Sequence, residues 1–377
     1  MRLQRLWAVA RKELIHIRRD PRSLGMGIAI PMLLLILFGY ALTLDVDNVP
    51  LAVWDQSETP ASRELIAGFS GSRYFSLHRV VTGYAEVESA INRGDALIAL
   101  IIPATLAESV GAGRAAEIQL IVDGSDANTA AIAIGYAENV ARRFSMATVD
   151  HRLQRSGGHS LELPLEVRPR VWFNADMESK NYIIPGLIAV IMMVIAALLT
   201  SLTVAREWET GTMEQVISTP LKGSELILGK FLPYFGIGML DVLLAVLMGA
   251  FVFDVPLRGS VPLLFAMAAV FLTGALSLGM VISIVTKSQL LASQLAMVLT
   301  FLPAFLLSGF MYDIGNMPRA IQVITYGVPA RYFVALLKGI YLKGVGLNTL
   351  AQEAVLLGAF AALMLSFANL RFKKRLE

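Results

Sequence analysis

The 377-residue chain contains no cysteine, which excludes disulfide bridges and thiolate metal sites. Charge is scarce as well: Asp, Glu, Lys and Arg make up 16% of the residues against 56% hydrophobic, and the mean hydropathy is +0.63. A soluble chain of this size needs a more polar surface, so the composition reads as an integral membrane protein. Histidine is limited to His16, His78, His151 and His159, too scattered for a shared metal-ligand set. A phosphate loop is missing. The nearest stretch, GSELILGKF, sets Gly223 and Gly229 six apart instead of five and puts Phe231 where a magnesium-binding Ser or Thr belongs. The serines carry no nucleophile elbow or triad signature, and no enzyme is read from this chain. A cleavable signal peptide is also unexpected, because the first apolar run is too long and LTLDVDN has no small-x-small site.

What the chain has in quantity is long apolar runs. Windows 23–44, 181–205, 259–286 and 288–312 hold no charged residue at all. Windows 231–253 and 347–370 hold one acid each, Asp241 and Glu353. About 20 helical residues cover roughly 30 Å, so six spans are predicted. The short flanks 1–22, 206–230, Lys287 and 371–377 carry 15 Lys and Arg, against five in 254–258 and 313–346. The positive-inside rule then places both termini in the cytoplasm. Residues 45–180, with 12 basic and 18 acidic residues, form an extracytoplasmic domain of net charge −6, while the remainder nets +9. The basic excess suits anionic headgroups rather than nucleic acid.

Inside the outer domain, PLAVWD, YFSLHRVV, ALIALIIP and AEIQLIVDG read as strands. TPASRELIAGF, YAEVESAINRG and a long pattern over 127–155 read as helices, and 163–175 as a returning strand. This alternation predicts an α/β or α+β domain. Residues 2–19 space Leu3, Leu6, Trp7, Ala10, Leu14 and Ile17 as one helical face, giving an interfacial helix over 1–22 or a plain basic anchor. Between spans five and six, 313–346 is broken by Pro318, Gly327 and Pro329 into two short half-buried helices bordering the exit of a pathway.

Two features invite a functional reading. Asp241 lies about 15 Å deep in span three, counted from Lys230, and is either a proton or cation relay or a protonated, hydrogen-bonded structural acid. The loop AREWETGTMEQVISTP has Thr212 and Gln215 in the form of a capping box, Gly211 to free the preceding turn, and Pro220 to stop a short helix over 213–219. Met213, Val216 and Ile217 beside Glu207, Glu209 and Glu214 make an apolar face with an acidic rim, suited to docking or simply a solvated loop.

AREWETGTMEQVISTPLKGSELILGK resembles the cytoplasmic coupling loop of ABC-2 type exporter permeases. RKELIHIRRDPRSL, GDALIALIIP, IVDGSDANTA, LLSGFMYDIGNMP and PARYF resemble the same group in order along nearly the whole chain. The resemblance implies a mainly α membrane protein with six transmembrane helices of ABC-2 exporter type, working as the permease of a bacterial inner-membrane multidrug-type exporter. ATP and Mg would sit on a separate ATP-binding subunit, leaving this chain without a cofactor. It implies a second permease, identical or homologous, and docking of a periplasmic adaptor protein. Arg206, Glu207, Glu209, Gly211, Thr212, Glu214 and Pro220 would couple to the ATPase. Spans two and five would line the path, with Met192, Met193, Met297, Phe301 and Phe305 as an adaptable apolar lining for drugs or lipid-like molecules. The competing reading is an ion-coupled secondary transporter using Asp241, for which the paired acids and internal repeats of such proteins are not seen. A sensor would bring a cytoplasmic output domain, which is not seen either.

Overall fold

The computed structural model describes residues 3–20, 25–42, 47–155, 172–174 and 178–372. It separates into two compact units, residues 44–169 and residues 1–43 with 170–377. Most of the strand expected at 163–175 lies outside the described residues.

The larger unit is helical. It begins with α1 (Leu3–Arg19), followed by a π turn (Gly25–Ala29) running into α2 (Ile30–Ala41). The first expected span is thus helical over about 17 described residues, or roughly 25 Å, short of a full hydrocarbon crossing.

In the smaller unit the order is β1 (Val49–Asp55), α3 (Pro60–Ser70), β2 (Phe75–Val80), α4 (Tyr84–Asn92), β3 (Ile98–Ile102), α5 (Leu106–Ala112), β4 (Gln119–Val122) and α6 (Ala127–Arg155). The strands lie in the order β2-β1-β3-β4, with β1 parallel to both β2 and β3 and β4 antiparallel on the far edge. Strand alternation buries two faces. Leu51, Val53, Ile98, Leu100 and Ile102 pack with Leu65 and Phe69 of α3 and Ala133 and Ala137 of α6. Ala52 and Ala99, pointing the other way, pack with Val87 and Ala90 of α4. Each large aliphatic residue so buried contributes on the order of 1.5–3 kcal/mol. The start of α3 is fixed by a reciprocal box between Thr59 and Ser62, and Ser62 Oγ also donates to Asp55 Oδ2 at 2.6 Å.

The helical unit continues with α7 (Ser179–Glu209), α8 (Thr212–Ser218), α9 (Gly223–Phe251), α10 (Val261–Thr286), α11 (Gln289–Leu307), α12 (Arg319–Thr325), α13 (Pro329–Lys338) and α14 (Ala351–Arg371). Among the described residues α7, α9, α10, α11 and α14 are long and apolar enough to cross a membrane. The pair Arg319–Thr325 and Pro329–Lys343 forms a broken element bent by 86°. Helix α7 is the hub: 89% of its apolar window is buried, against 22% for α11 and 17% for α14, which turn apolar side chains outward.

Lipid tails are as apolar as leucine, so helices in a bilayer associate through close contact and polar bonds. The seam between α7 and α10 has both. A Cβ at Gly279 would lie 2.2 Å from the Ala197 carbonyl oxygen. Thr200 Oγ1 donates to the Leu276 carbonyl at 2.8 Å, and Ser283 Oγ accepts from the backbone amides of Val204 and Ala205 at 3.0 and 2.9 Å.

Candidate functional site

At the C-terminal end of α7 the helix does not stop where the apolar run stops. It continues through Arg206, Glu207 and Glu209, turns at Thr210 and Gly211, and restarts as α8. Gly211 is the N-cap of α8 with φ of 69°, a left-handed conformation that glycine adopts without steric cost. Thr212 is therefore the first helical residue and not the cap. Its hydroxyl reaches back to the Glu207 carbonyl at 3.4 Å, so the expected capping box with Gln215 is not made. The short helix spans 212–218 where 213–219 was expected, and α9 begins at Gly223, leaving little loop within 206–230.

The acidic rim expected from the sequence is divided. Glu207 is 7% exposed and Lys230 1%. Glu207 Oε1 lies 3.0 Å from Lys230 Nζ and 2.9 Å from Lys12 Nζ, and Lys230 also pairs with buried Glu13 of α1. Two carboxylates and two ammonium groups thus join α1, α7 and α9. A buried lysine is held charged by opposite charges that replace its water shell, at a high desolvation cost that only such partners offset. Helix α1 is drawn against α9 closely enough that a Cβ at Gly229 would lie 2.7 Å from Val9 Cβ.

Arg206 is held alongside, with Nη1 bonded to His16 Nε2 at 2.8 Å and ion-paired with Asp20 at 3.8 Å, and Nε donating to Gln289 Oε1 at 3.3 Å. Exposed Glu209 accepts from the Gln289 backbone amide at 2.8 Å and from its side chain at 2.6 Å, capping the start of α11. Lys287 lies over the Trp208 ring at 4.6 Å. Pro220 is fastened through its carbonyl, which accepts from Arg5.

Of the seven residues expected to couple, Arg206, Glu207, Glu209, Thr212 and Pro220 are bonded within the chain, while Gly211 and Glu214 are exposed. The apolar face is also partly internal: Met213 is 1% exposed, and Val216 and Ile217 pack against the helical core. The outward surface of α8 is Glu214, Gln215 and Ser218. Sequence reasoning missed Glu13, Lys12 and Lys230. Its place midway between Val9 and Ile17, four residues from each, was the available signal for Glu13, because those three share one helix face.

Helix α1 was expected to lay Leu3, Leu6, Trp7, Ala10, Leu14 and Ile17 on a bilayer as one face. It has two faces instead. Val9, Ala10, Glu13 and Ile17 are buried against protein, and Leu3, Trp7 and Leu14 are exposed.

The expected path residues are not brought together as one lining. Met192 and Met193 are each 2% exposed and sit in the core, because α7 is surrounded by other helices. Met297 is exposed, and Phe301 stacks on Phe305 with centroids 5.7 Å apart on half-buried positions of α11. Asp241 is 1% exposed, and its Oδ1 has no hydrogen-bond partner among the described residues.

The sequence of this bundle, with its polar turn, short helix and buried ion cluster at one end, assigns it to a family. The sequence profile described as ABC-2 family transporter protein covers residues 21–370, and the chain belongs to this family. A relative from Escherichia coli (strain K12) named "Probable multidrug ABC transporter permease YbhS" is 37% identical over 375 residues, covering 99% of this chain and 98% of its own length. Its counterpart named "Probable multidrug ABC transporter permease YbhR" is 28% identical over 344 residues, 91% of each chain. "ABC transporter G family member 20" of Dictyostelium discoideum is 22% identical over 350 residues, which cover 90% of this chain and 46% of that protein.

Proposed function

We infer that this chain is the transmembrane permease subunit of an ATP-binding cassette exporter, moving drugs or other amphipathic, lipid-like molecules outward across a bacterial inner membrane. ATP and Mg are bound and hydrolysed on a separate subunit. Two permeases, identical or homologous, face each other, with α7 and α11 bordering the path and the bent pair 319–343 shaping its outer gate. The termini and the 206–220 turn face the cytoplasm, the domain between α2 and α7 lies outside, and an adaptor protein docks there.

The observation that carries this reading is α8. Its base is locked by Met213 into the helical core, and Arg206, Glu207 and Glu209 are tied to α1, α9 and α11, yet Glu214, Gln215 and Ser218 are left outward. A load applied to that outward face is delivered to three helices at once. The name of the YbhS relative supports the transport class, and the Dictyostelium relative, with over half its length outside the match, supports a further component in such systems.

The test is stimulation of ATPase activity by the purified permease mixed with its candidate ATP-binding subunit. Glu214→Lys with Gln215→Lys should abolish complex formation and stimulation while leaving thermal unfolding unchanged. Full stimulation by the double variant overturns the docking role of α8.

A second reading, ion-coupled transport, draws on one observation, the unpartnered Oδ1 of buried Asp241. Efflux driven by a pH gradient without ATP, and abolished by Asp241→Asn, would establish it in place of the first.

A further inference from the structure

The helical unit holds a cavity of about 330 Å³ at the end remote from the 206–220 turn, where α7 starts and α11 ends. That is within the range of small-molecule sites, about 300–1,000 Å³. Two cations line it, Arg331 and Lys338, seven residues apart and so on one face of α13. Each is held against an aromatic ring: Lys338 Nζ is 3.5 Å from the Tyr182 centroid, and the Arg331 guanidinium carbon is 4.0 Å from the Tyr326 centroid.

Their hydrogen-bonding capacity is mostly unused. Lys338 Nζ donates to the Gly309 carbonyl at 2.8 Å, and Arg331 donates through Nη1 to the Gln322 carbonyl and to Thr325 Oγ1. An ammonium has three donors and a guanidinium five. Among the described residues two donors of Lys338, and Nε and Nη2 of Arg331, have no acceptor, and neither cation has a carboxylate within 4.0 Å.

Tyr182 and Tyr332 offer rings rather than hydroxyls. Tyr182 Oη donates to the Phe310 carbonyl at 3.0 Å and Tyr332 Oη to the Tyr326 carbonyl at 2.7 Å. Ile314, Val334 and Leu356 add apolar wall. Asp313 and Glu353 also border the cavity, and Asp313 is already used, accepting from the Gly315 amide at 2.8 Å. Surplus donors call for an anion, and two nearby carboxylates limit it to a single negative charge.

We propose that this cavity binds the monoanionic polar end, a phosphodiester or carboxylate, of an amphipathic molecule, with Arg331 and Lys338 as donors and the tyrosine rings and aliphatic side chains receiving its apolar part. The inference does not depend on coupling to an ATPase, because binding is read without one.

The experiment measures binding of dihexanoyl-phosphatidylglycerol to the full chain in dodecyl maltoside by native mass spectrometry, with uncharged dihexanoylglycerol as comparison. Arg331→Gln and Lys338→Met should each weaken the phosphatidylglycerol by about tenfold or more, as loss of a hydrogen bond to a charged group does. Ala335→Phe, which fills the cavity and leaves the charge alone, should weaken it as well. Lys343→Met, which removes an exposed charge elsewhere, should not. Should Lys338→Met fail to fold, Arg331→Gln and Ala335→Phe carry the test. Displacement by inorganic phosphate makes a free anion sufficient, and its failure makes the amphiphile's headgroup the ligand; both retain the anion site. Equal binding of dihexanoylglycerol, or undiminished phosphatidylglycerol binding by Arg331→Gln and Ala335→Phe, overturns the proposal.

Discussion

The two ends of the helical unit treat charge in opposite ways. At the 206–220 end buried Lys230 pairs with Glu207 and Glu13, and Glu207 Oε1 also pairs with Lys12. At the other end Lys338 and Arg331 line open space with no carboxylate within 4.0 Å among the described residues. Charges consumed internally build a joint, and charges with donors left over build a site. The distinction is visible only in the bonding partners, since a lysine or arginine reads the same in the sequence whether its charge is paired or free.

The contrast can be broken most severely at the joint. Lys230→Met leaves Glu13 and Glu207 buried without their shared cation and should cost about 3–5 kcal/mol, the range for breaking a buried pair. Unfolding followed by circular dichroism in detergent checks this, and adding Glu13→Gln should restore part of the loss. If Lys230→Met unfolds like wild type, the joint is not structural. Gly279→Val drives carbons into the Ala197 carbonyl across the α7 and α10 seam, and overpacking of this kind costs about 1–3 kcal/mol. Gly236→Ala, where no atom lies within 4 Å of the added Cβ, should be tolerated and serves as the paired measurement.

Glu209→Gln should do less than either. Its carboxylate caps α11 from an exposed position, so a small fall in melting temperature is expected, and a fall as large as that of Lys230→Met would show that exposure misjudges the bond. Glu214→Lys alone should leave the melting temperature unchanged, and any loss then appears only in ATPase stimulation. A fall in stability there would mean α8 is part of the joint throughout.

Much of the helical architecture was legible in the sequence because a hydrocarbon layer tolerates so few charges. The apolar window at 181–205 falls inside α7, and that at 259–286 matches α10 apart from two residues before its start. The strands at PLAVWD and ALIALIIP were legible from length and β-branched content. The division of the acids at 207, 209 and 214 was not. Three glutamates in eight residues look alike in one dimension, and which is buried depends on Lys12 and Lys230, 195 residues and 23 residues away from Glu207. The same limit applies to Met192 and Met193. Methionine is as suited to a pocket wall as to a core, and only the surround of α7 by other helices decides for the core.

Helix α7 carries both ends. It is 31 residues long, about 46 Å at 1.5 Å per residue, with Glu207 in the ion cluster and Tyr182 in the wall of the cavity. A rod of that length has few ways to respond to a push: it slides, tilts or spins. A slide applied at the Glu207 end arrives at Tyr182 undiminished, and a tilt pivoting between them arrives reversed in sign. Communication across the bundle therefore needs no relay of side chains switching one after another. Only Pro185, three residues from Tyr182, interrupts the backbone ladder and gives the far tip a hinge of its own.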